Sequence, residues 1–346
     1  MTRTISISPI PCAVVVALLA GCAAPAPPPE PVVEEPAAPS APAPDFTLGA
    51  DNTHNRWSST IPPVLTVPSG AVVEIHTKEA SDGQITPETT VDELASVDFG
   101  LIHALTGPIR VEGAEPGDLL AVTIHEVEVS GWGWATILPG FGFLAEEFTE
   151  PWIRGFDLEP GATEADFGNG ITIPLDPFPG VLGVAPATEE MLVTIPPREN
   201  GGNMDNQYMK AGATVYLPVQ VEGANFSIGD THAVQGDGEV SGTAIEVPMR
   251  LVVTLDVVEN PRGITEPEYE TDEYYGTTGF APTIDDAARK ATRAMIAWLV
   301  AEHGLTPEEA YVLCSLAGDL KISETVDVPH MLVSMHMPKS LFPAGD

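Results

Sequence analysis

Positive charge is scarce in this chain. Fourteen Lys and Arg face fifty Asp and Glu, a formal net charge of −36, with the acids spread along the sequence and no acidic tail. So anionic a surface repels phosphate backbones and acidic headgroups, which argues against nucleic acid or anionic lipid as electrostatic partners. Only five of the basic residues are Lys, a bias that fits salty surroundings where counterions screen self-repulsion. Familiar nucleophile and phosphate motifs are also missing. The sequence has no Gly-x-Ser-x-Gly elbow, no Ser-x-x-Lys, no phosphate loop, no Gly-x-Gly-x-x-Gly and no His-Glu-x-x-His pair, so the common serine hydrolase, nucleotide-binding and zincin signatures do not apply.

Long hydrophobic runs are lacking too. The only one near the N-terminus, Ile10 to Leu19, is too short to span a bilayer. Preceded by Arg3 and closed by Leu19-Ala20-Gly21-Cys22, it resembles a bacterial lipoprotein signal covering residues 1–21. On that resemblance Cys22 is lipidated and becomes the mature N-terminus of an exported protein, membrane-anchored on the periplasmic or extracellular face. A plain secretory signal with a chance Cys is the alternative. Cysteine arithmetic follows: Cys12 leaves with the signal and Cys22 is acylated, so Cys314 remains alone and no intrachain disulfide can form. In its apolar context, Tyr311-Val312-Leu313-Cys314, that thiol reads as a packed small hydrophobe.

Residues 22–44 are Pro, Ala, Glu and Val with little to bury, which reads as an extended tether. A folded domain is expected over 45–346, long enough for a real core. Short apolar alternating runs (Val64 to Val67, Val72 to His76, Leu119 to Val129, Thr214 to Val219, Ala244 to Val258) are bounded by Pro and Gly turn signals and predict strands. Two helices are expected near the C-terminus. Thr283 with Asp286 makes a capping pattern ahead of Ala288, Ala291, Met295, Trp298 and Leu299, stopped by Gly304, and Thr306-Pro307-Glu308-Glu309 starts a second helix. The fold class is thus mainly β (α+β), sandwich-like, with C-terminal helices. Gly113 to Asp118 and Gly223 to Asp230 could be equivalent turns in two β halves.

The densest polar cluster is Gly201-Gly202-Asn203-Met204-Asp205 followed by Gly229-Asp230-Thr231-His232-Ala233-Val234-Gln235-Gly236-Asp237-Gly238-Glu239 and then Glu246. Loops gather Gly and Asp for turn geometry alone, but seldom add a His, an amide and two Glu. Asp205 and His232 could share one divalent ion with His103 as a further ligand, because imidazole nitrogen plus carboxylate oxygen suits zinc and similar metals. Alternatively Asp205 caps a turn and His232 makes an ordinary loop hydrogen bond. A buried Glu beside an activated water would be a suitable general base. Glu239 and Glu246 lie on opposite faces if the segment between them is a regular strand, so at most one should enter a given pocket. Gly201, Gly202, Gly236 and Gly238 could present backbone N–H groups to an oxyanion, or only make turns. Trp132-Gly133-Trp134 could line a substrate pocket or simply pack.

Beyond that cluster, several segments match a known family in order. These are His54-Asn55-Arg56-Trp57 with Ile61-Pro62-Pro63-Val64, Asp82-Gly83-Gln84-Ile85, His103 to Ile109, Val111 to Leu120, Gly180 to Pro186, Gly201 to Asp205, Gly229 to Glu239 and Tyr311 to Lys321. The chain resembles the acetamidase/formamidase family from about His54 to Phe342. The resemblance implies a homo-oligomeric hydrolase of non-peptide C–N bonds in small linear or cyclic amides, with a divalent metal, zinc, in the site. It implies metal-assisted hydrolysis with Asp205, His232 and His103 as ligands, Glu79 as a further one, Glu246 as the first choice of base and Glu239 as the second. Three features depart from the family: the exported, tethered N-terminus, Glu79 where Asp is more common, and Thr231 where Gly is common, which is expected to narrow the pocket. A non-catalytic lipoprotein that binds small ligands is the competing expectation.

Overall fold

A computed structural model describes residues 41–343; the signal and most of the tether, with Cys12 and Cys22, lie outside the described residues. In chain order the strands are β1 (Phe46–Leu48), β2 (Thr53–His54), β3 (Leu65–Pro68), β4 (Ala71–His76), β5 (Leu105–Glu112), β6 (Leu119–Val129), β7 (Gly131–Ile137), β8 (Trp152–Leu158), β9 (Glu164–Gly168) and β10 (Ile171–Pro174). Then come β11 (Phe178–Gly183), β12 (Gly201–Asn203), β13 (Thr214–Pro218), β14 (Phe226–His232), β15 (Met249–Val258), β16 (Glu268–Glu270) and β17 (Tyr274–Ala281). Helices α1 (Ile284–His303) and α2 (Pro307–Ala317) precede β18 (Asp319–Glu324) and β19 (Met331–Pro338).

One sheet has nine strands in the order β1-β4-β15-β6-β13-β16-β17-β19-β18, and a second runs β12-β11-β14-β5-β2 with β3 beside β5. Pairing is antiparallel except for β1 with β4 and β3 with β5. Alternation explains the layering. In β4, Ala71, Val73 and Ile75 are buried while Val72, Glu74 and His76 are only half-buried. They join Val122, Ile124, Val253 and Leu255 of the same sheet and Ile109, Leu182, Phe226 and Ile228 of the other in a single core. The molecule is mainly β, as expected, with two sheets closed on shared apolar contacts.

The helices form where local signals place them. Thr283 accepts a hydrogen bond from the Asp286 N–H, Gly304 ends α1 in the left-handed region (φ 64°), and Thr306 with Glu309 forms a full capping box on α2. Ala287, not the expected Ala288, lies on the buried stripe with Ala291, Met295, Trp298 and Leu299. Cys314 is buried among these helices and Met335, as a packed thiol.

Two expectations need correction. The strand expected over Ala244 to Val258 begins at Met249, because residues 244–248 make only isolated bridges, Glu246 pairing with Trp134 and with His232. The supposed equivalent turns are not equivalent. Gly113 to Asp118 links β5 to β6, whereas Phe226 to Asp230 is already strand, and the two segments meet through the Val111 N–H on Gly223 O at 2.9 Å and the Gly223 N–H on Ala114 O at 2.8 Å.

Candidate active site

Strand β14 carries the centre of the site. Its regular pairing with β11 skips one position, between Val181↔Gly229 and Pro179↔Thr231, where Asp230 sits at φ 49° opposite Gly180. A Cβ on Gly180 would lie 2.5 Å from Asp205 Oδ1, 2.7 Å from His232 Cε1 and 2.9 Å from Asp230 O. The backbone therefore approaches the polar cluster as only glycine permits. Asp205 (φ 41°) and Glu239 (φ 44°) are also in the left-handed region. Such backbone costs of order 1–3 kcal/mol per residue and tends to persist where surrounding structure holds a functional side chain.

Six carboxyl groups and two imidazoles gather here, all buried: Asp205, Asp230, Glu239, Glu246, Glu324, Asp327, His103 and His232. His232 Nε2 lies 3.2 Å from Glu246 Oε2 and 3.5 Å from Asp230 Oδ1, and His103 Nε2 lies 3.5 Å from Asp230 Oδ2. Asp205 Oδ1 is 3.8 Å from His232 Nδ1. Two groupings can each converge on one cation, Asp230 with His232 and Glu246, and Asp205 with His232 and Glu239, their ligand atoms within 4.8 Å of one another.

Gln235 sets the imidazole's orientation. Its side-chain N–H₂ donates to Asp205 O at 2.8 Å and Ser323 O at 3.3 Å, so its Oε1 faces His232 Nδ1 at 2.8 Å and accepts the Nδ1 proton. Nε2 is thereby turned toward Asp230 and Glu246. A histidine that donates through one nitrogen and offers the other to carboxylates has the arrangement of a metal ligand.

The charge balance points the same way. Burial raises the Glu246 carboxyl to about 7 against the pull of His232, and raises Glu324 to about 8. Burial, with Asp205 nearby, lifts Glu239 well above the carboxylate range, and burial with Glu324 lifts Asp327 likewise. Asp205 is raised chiefly by burial. Burial alone would raise Asp230 too, but His103 and His232 outweigh it and hold it at about 2. Burial would lower His232, yet Glu246 and Asp230 overcome it and hold the imidazole well above 6.5. Crowded carboxyls in a water-poor site must share protons or a cation. Both Asp205 oxygens, Glu246 Oε2, His232 Nε2, His103 Nδ1, Asn203 Oδ1 and Glu324 Oε1 are buried without a hydrogen-bond partner among protein groups. This mixed N/O donor set fits a divalent ion of the zinc type.

The cluster opens into a cavity of about 40 Å³ with His103, Asn203, Asp230, Glu239, Glu246 and Asp327 on its polar side and Phe99, Ile102, Trp134, Leu138, Phe141 and Ile195 on its apolar side. No Lys or Arg lines it.

Asp205, His232, His103, Glu239 and Glu246 thus come together, and both glutamates enter one cavity. The opposite-face expectation fails because residues 236–246 are loop rather than strand, and Glu239 turns inward at positive φ. Glu79 stands apart from both groupings. Its oxygens accept from Ser81 N–H (2.7 Å), Ser81 Oγ (2.9 Å), Gly83 N–H (2.5 Å) and Trp134 Nε1 (2.9 Å), so its lone pairs are engaged. It instead orients Trp134, whose backbone pairs with Glu246 in both directions at 2.9 and 2.8 Å. Trp134 lines the cavity and Trp132 does not. The glycine expectation also fails. Gly201 N–H is donated to Arg198 O and Gly238 N–H to Ser323 O, both at 3.0 Å, and neither they nor Gly202 and Gly236 line the cavity. Thr231 points away from it, bonding Val247 O at 2.6 Å and Thr77 Oγ1 at 2.9 Å.

Glu324, Asp327 and Gly180 were not singled out as site residues from the sequence, and Asn203, Asp230 and Gln235 stood in the polar cluster without a role. Asp230 had a signal, since it lies two residues before His232 in a strand. Glu324 and Asp327 arrive from the far end of the chain, where Asn203 Nδ2 donates to Asp327 Oδ2 at 2.6 Å and Glu324 Oε2 accepts the Val326 and Asp327 N–H groups at 2.9 and 3.0 Å.

Comparison with known proteins places this geometry. The profile of the Acetamidase/Formamidase family matches residues 44–193 and 187–344. A crystal structure of acetamidase from Bacillus halodurans superposes with a TM-score of 0.81 at 34% identity, covering 86% of this chain and 98% of that one. The formamidase of Methylophilus methylotrophus is 28% identical, covering 84% of this chain and 89% of its own length. A gamma lactamase from Delftia acidovorans superposes with a TM-score of 0.61 at 25% identity, over 86% and 94% of the two chains.

Proposed function

The chain belongs to the acetamidase/formamidase family and is an amidase, and we propose that it cleaves the C–N bond of small amides by water attack at the buried Asp/Glu/His cluster with a divalent cation, zinc, bound there. The observation that carries this reading is the set of orphaned, buried carboxylate and imidazole atoms gathered at a small cavity that is partly lined by apolar side chains. His232 Nε2, Asp230 and Glu246 would hold the cation, with His103 beside Asp230. Such an ion, when bound, polarises a carbonyl and makes water acidic enough to attack near neutral pH.

The protein's own residues supply the rest. Gln235 holds the His232 tautomer. Glu239 lines the cavity, and its carboxylate lies in one grouping with Asp205 and His232. Its raised pKa suits it to take a proton from the attacking water and return it to the leaving nitrogen. The apolar walls exclude bulk water and strengthen every charge interaction inside. A second reading makes Glu246 the base, favoured by its pKa near 7, and leaves Asp205, His232 and Glu239 for the cation. A binding protein without turnover is not favoured, because the named relatives are hydrolases.

The test is ammonia release by the purified protein from formamide, acetamide and propionamide, and ring opening of a γ-lactam, before and after chelation and with zinc restored. Turnover lost on chelation and regained with metal is expected. Turnover that survives complete metal removal would sink the metal-assisted reading. We also propose export: Leu19-Ala20-Gly21-Cys22 supports acylation of Cys22 and a membrane-anchored location.

A further inference from the structure

We propose that Phe141, backed by Phe99, is the gate that sets the acyl length of the substrate, an inference that rests on the amidase reading above. The cavity's free volume is about 40 Å³. A single water needs roughly 10–15 Å³ on that measure, so about three or four heavy atoms fit, the size of formamide or acetamide. The reacting amide must face the polar lining residues Asp230, Glu239, Glu246 and His103. Its acyl carbon is therefore directed at the apolar side, which Phe141 and Phe99 close together, their rings edge-to-face with centroids 6.1 Å apart.

The ring of Phe141 has little freedom. A Cβ on Gly242 would stand 2.5 Å from its Cδ1, so the ring packs against bare backbone. Its segment is tied to the loop that carries Glu239 by Phe143 N–H donating to Val240 O at 2.9 Å and Thr136 N–H to Thr243 Oγ1 at 3.0 Å, and Phe141 N–H closes a local turn on Leu138 O at 3.0 Å. A wall so braced yields little to a longer chain. Phe99 lines the cavity from a turn fixed by Gly100 N–H donating to Asp98 Oδ1 at 2.7 Å. One extra methylene against a rigid pocket wall changes kcat/KM by roughly 10–200-fold.

The experiment measures kcat/KM for formamide, acetamide, propionamide and butyramide with the full chain, with Phe141→Ala and with Phe99→Ala. The parent should lose activity steeply from acetamide to butyramide. Phe141→Ala should raise the butyramide-to-acetamide ratio at least tenfold, and Phe99→Ala should raise it by less. Phe99 is already 41% exposed, so its truncation tests the gate even if Phe141→Ala does not fold. A parent that hydrolyses short amides while both foldable variants keep its ratio would overturn the gate and leave the amidase reading standing. A parent inactive on every amide, with metal bound, would overturn both.

Discussion

Replacing the two cavity glutamates by glutamine, one at a time, separates their roles. Glu239→Gln preserves volume and removes an ionisable proton acceptor from the cavity lining. General base catalysis contributes typically 10²–10⁴-fold, about 2.7–5.4 kcal/mol of barrier at 1.36 kcal/mol per decade, so kcat should fall by that factor while metal content is unchanged. Glu246→Gln keeps the bond from Ala244 N–H at 2.9 Å but removes the negative charge 3.2 Å from His232 Nε2. Even outer partners of metal ligands are worth about 10–100-fold in affinity. Metal affinity should therefore fall at least that much, with part of the activity recovered in excess metal. Elemental analysis after dialysis, chelator competition and ammonia release read all three quantities. Glu239→Gln with kcat within threefold of the parent would refute its role. Loss of metal in Glu239→Gln with retention in Glu246→Gln would exchange the two assignments.

The metal-free protein should be least stable at alkaline pH. Glu246 at about 7 and Glu324 at about 8 hold protons that the unfolded chain releases near 4.5, and the raised His232 imidazole works in the same direction. Stability should thus fall as pH rises from about 4.5 through 8, by on the order of 3 kcal/mol for Glu246 alone. Asp230, held near 2, works the other way only below about pH 4. Melting of chelated protein at pH 5, 6.5 and 8 checks the sign, and a Tm that climbs across the series would contradict it. Separately, Cys22→Ala should move the expressed protein from the membrane fraction to the soluble one; continued membrane retention would count against the lipid anchor.

Local chemistry made much of the fold legible. The alternation in Val72 to His76 marks a strand because side chains on successive residues leave opposite faces, and the starts of both helices follow from Thr caps that act within four residues. The segment that carries His232 was legible from its density of Gly, Asp, Glu and His, but its strand setting, which puts Asp230 and His232 on one short strand, was not. Glu79 was misplaced because its lone pairs are taken up by Ser81 and Gly83 in its own turn and by a tryptophan 55 positions away. The oxyanion glycines were misjudged because an N–H group's availability depends on which carbonyl it meets.

By itself, then, the sequence determined the acidic surface, the β class, the two capped helices, the family and the segment that carries His232. These depend on composition, on periods of a few residues, or on motifs in order. Only the tertiary structure decided that Glu239 and Glu246 share one cavity, that Glu324 and Asp327 crowd the same carboxylates, that Gln235 turns Nε2 of His232 toward Asp230, and that Phe141 bounds the space left. Those outcomes depend on loop conformation at positive φ and on contacts between residues far apart in the chain, and no local pattern encodes them.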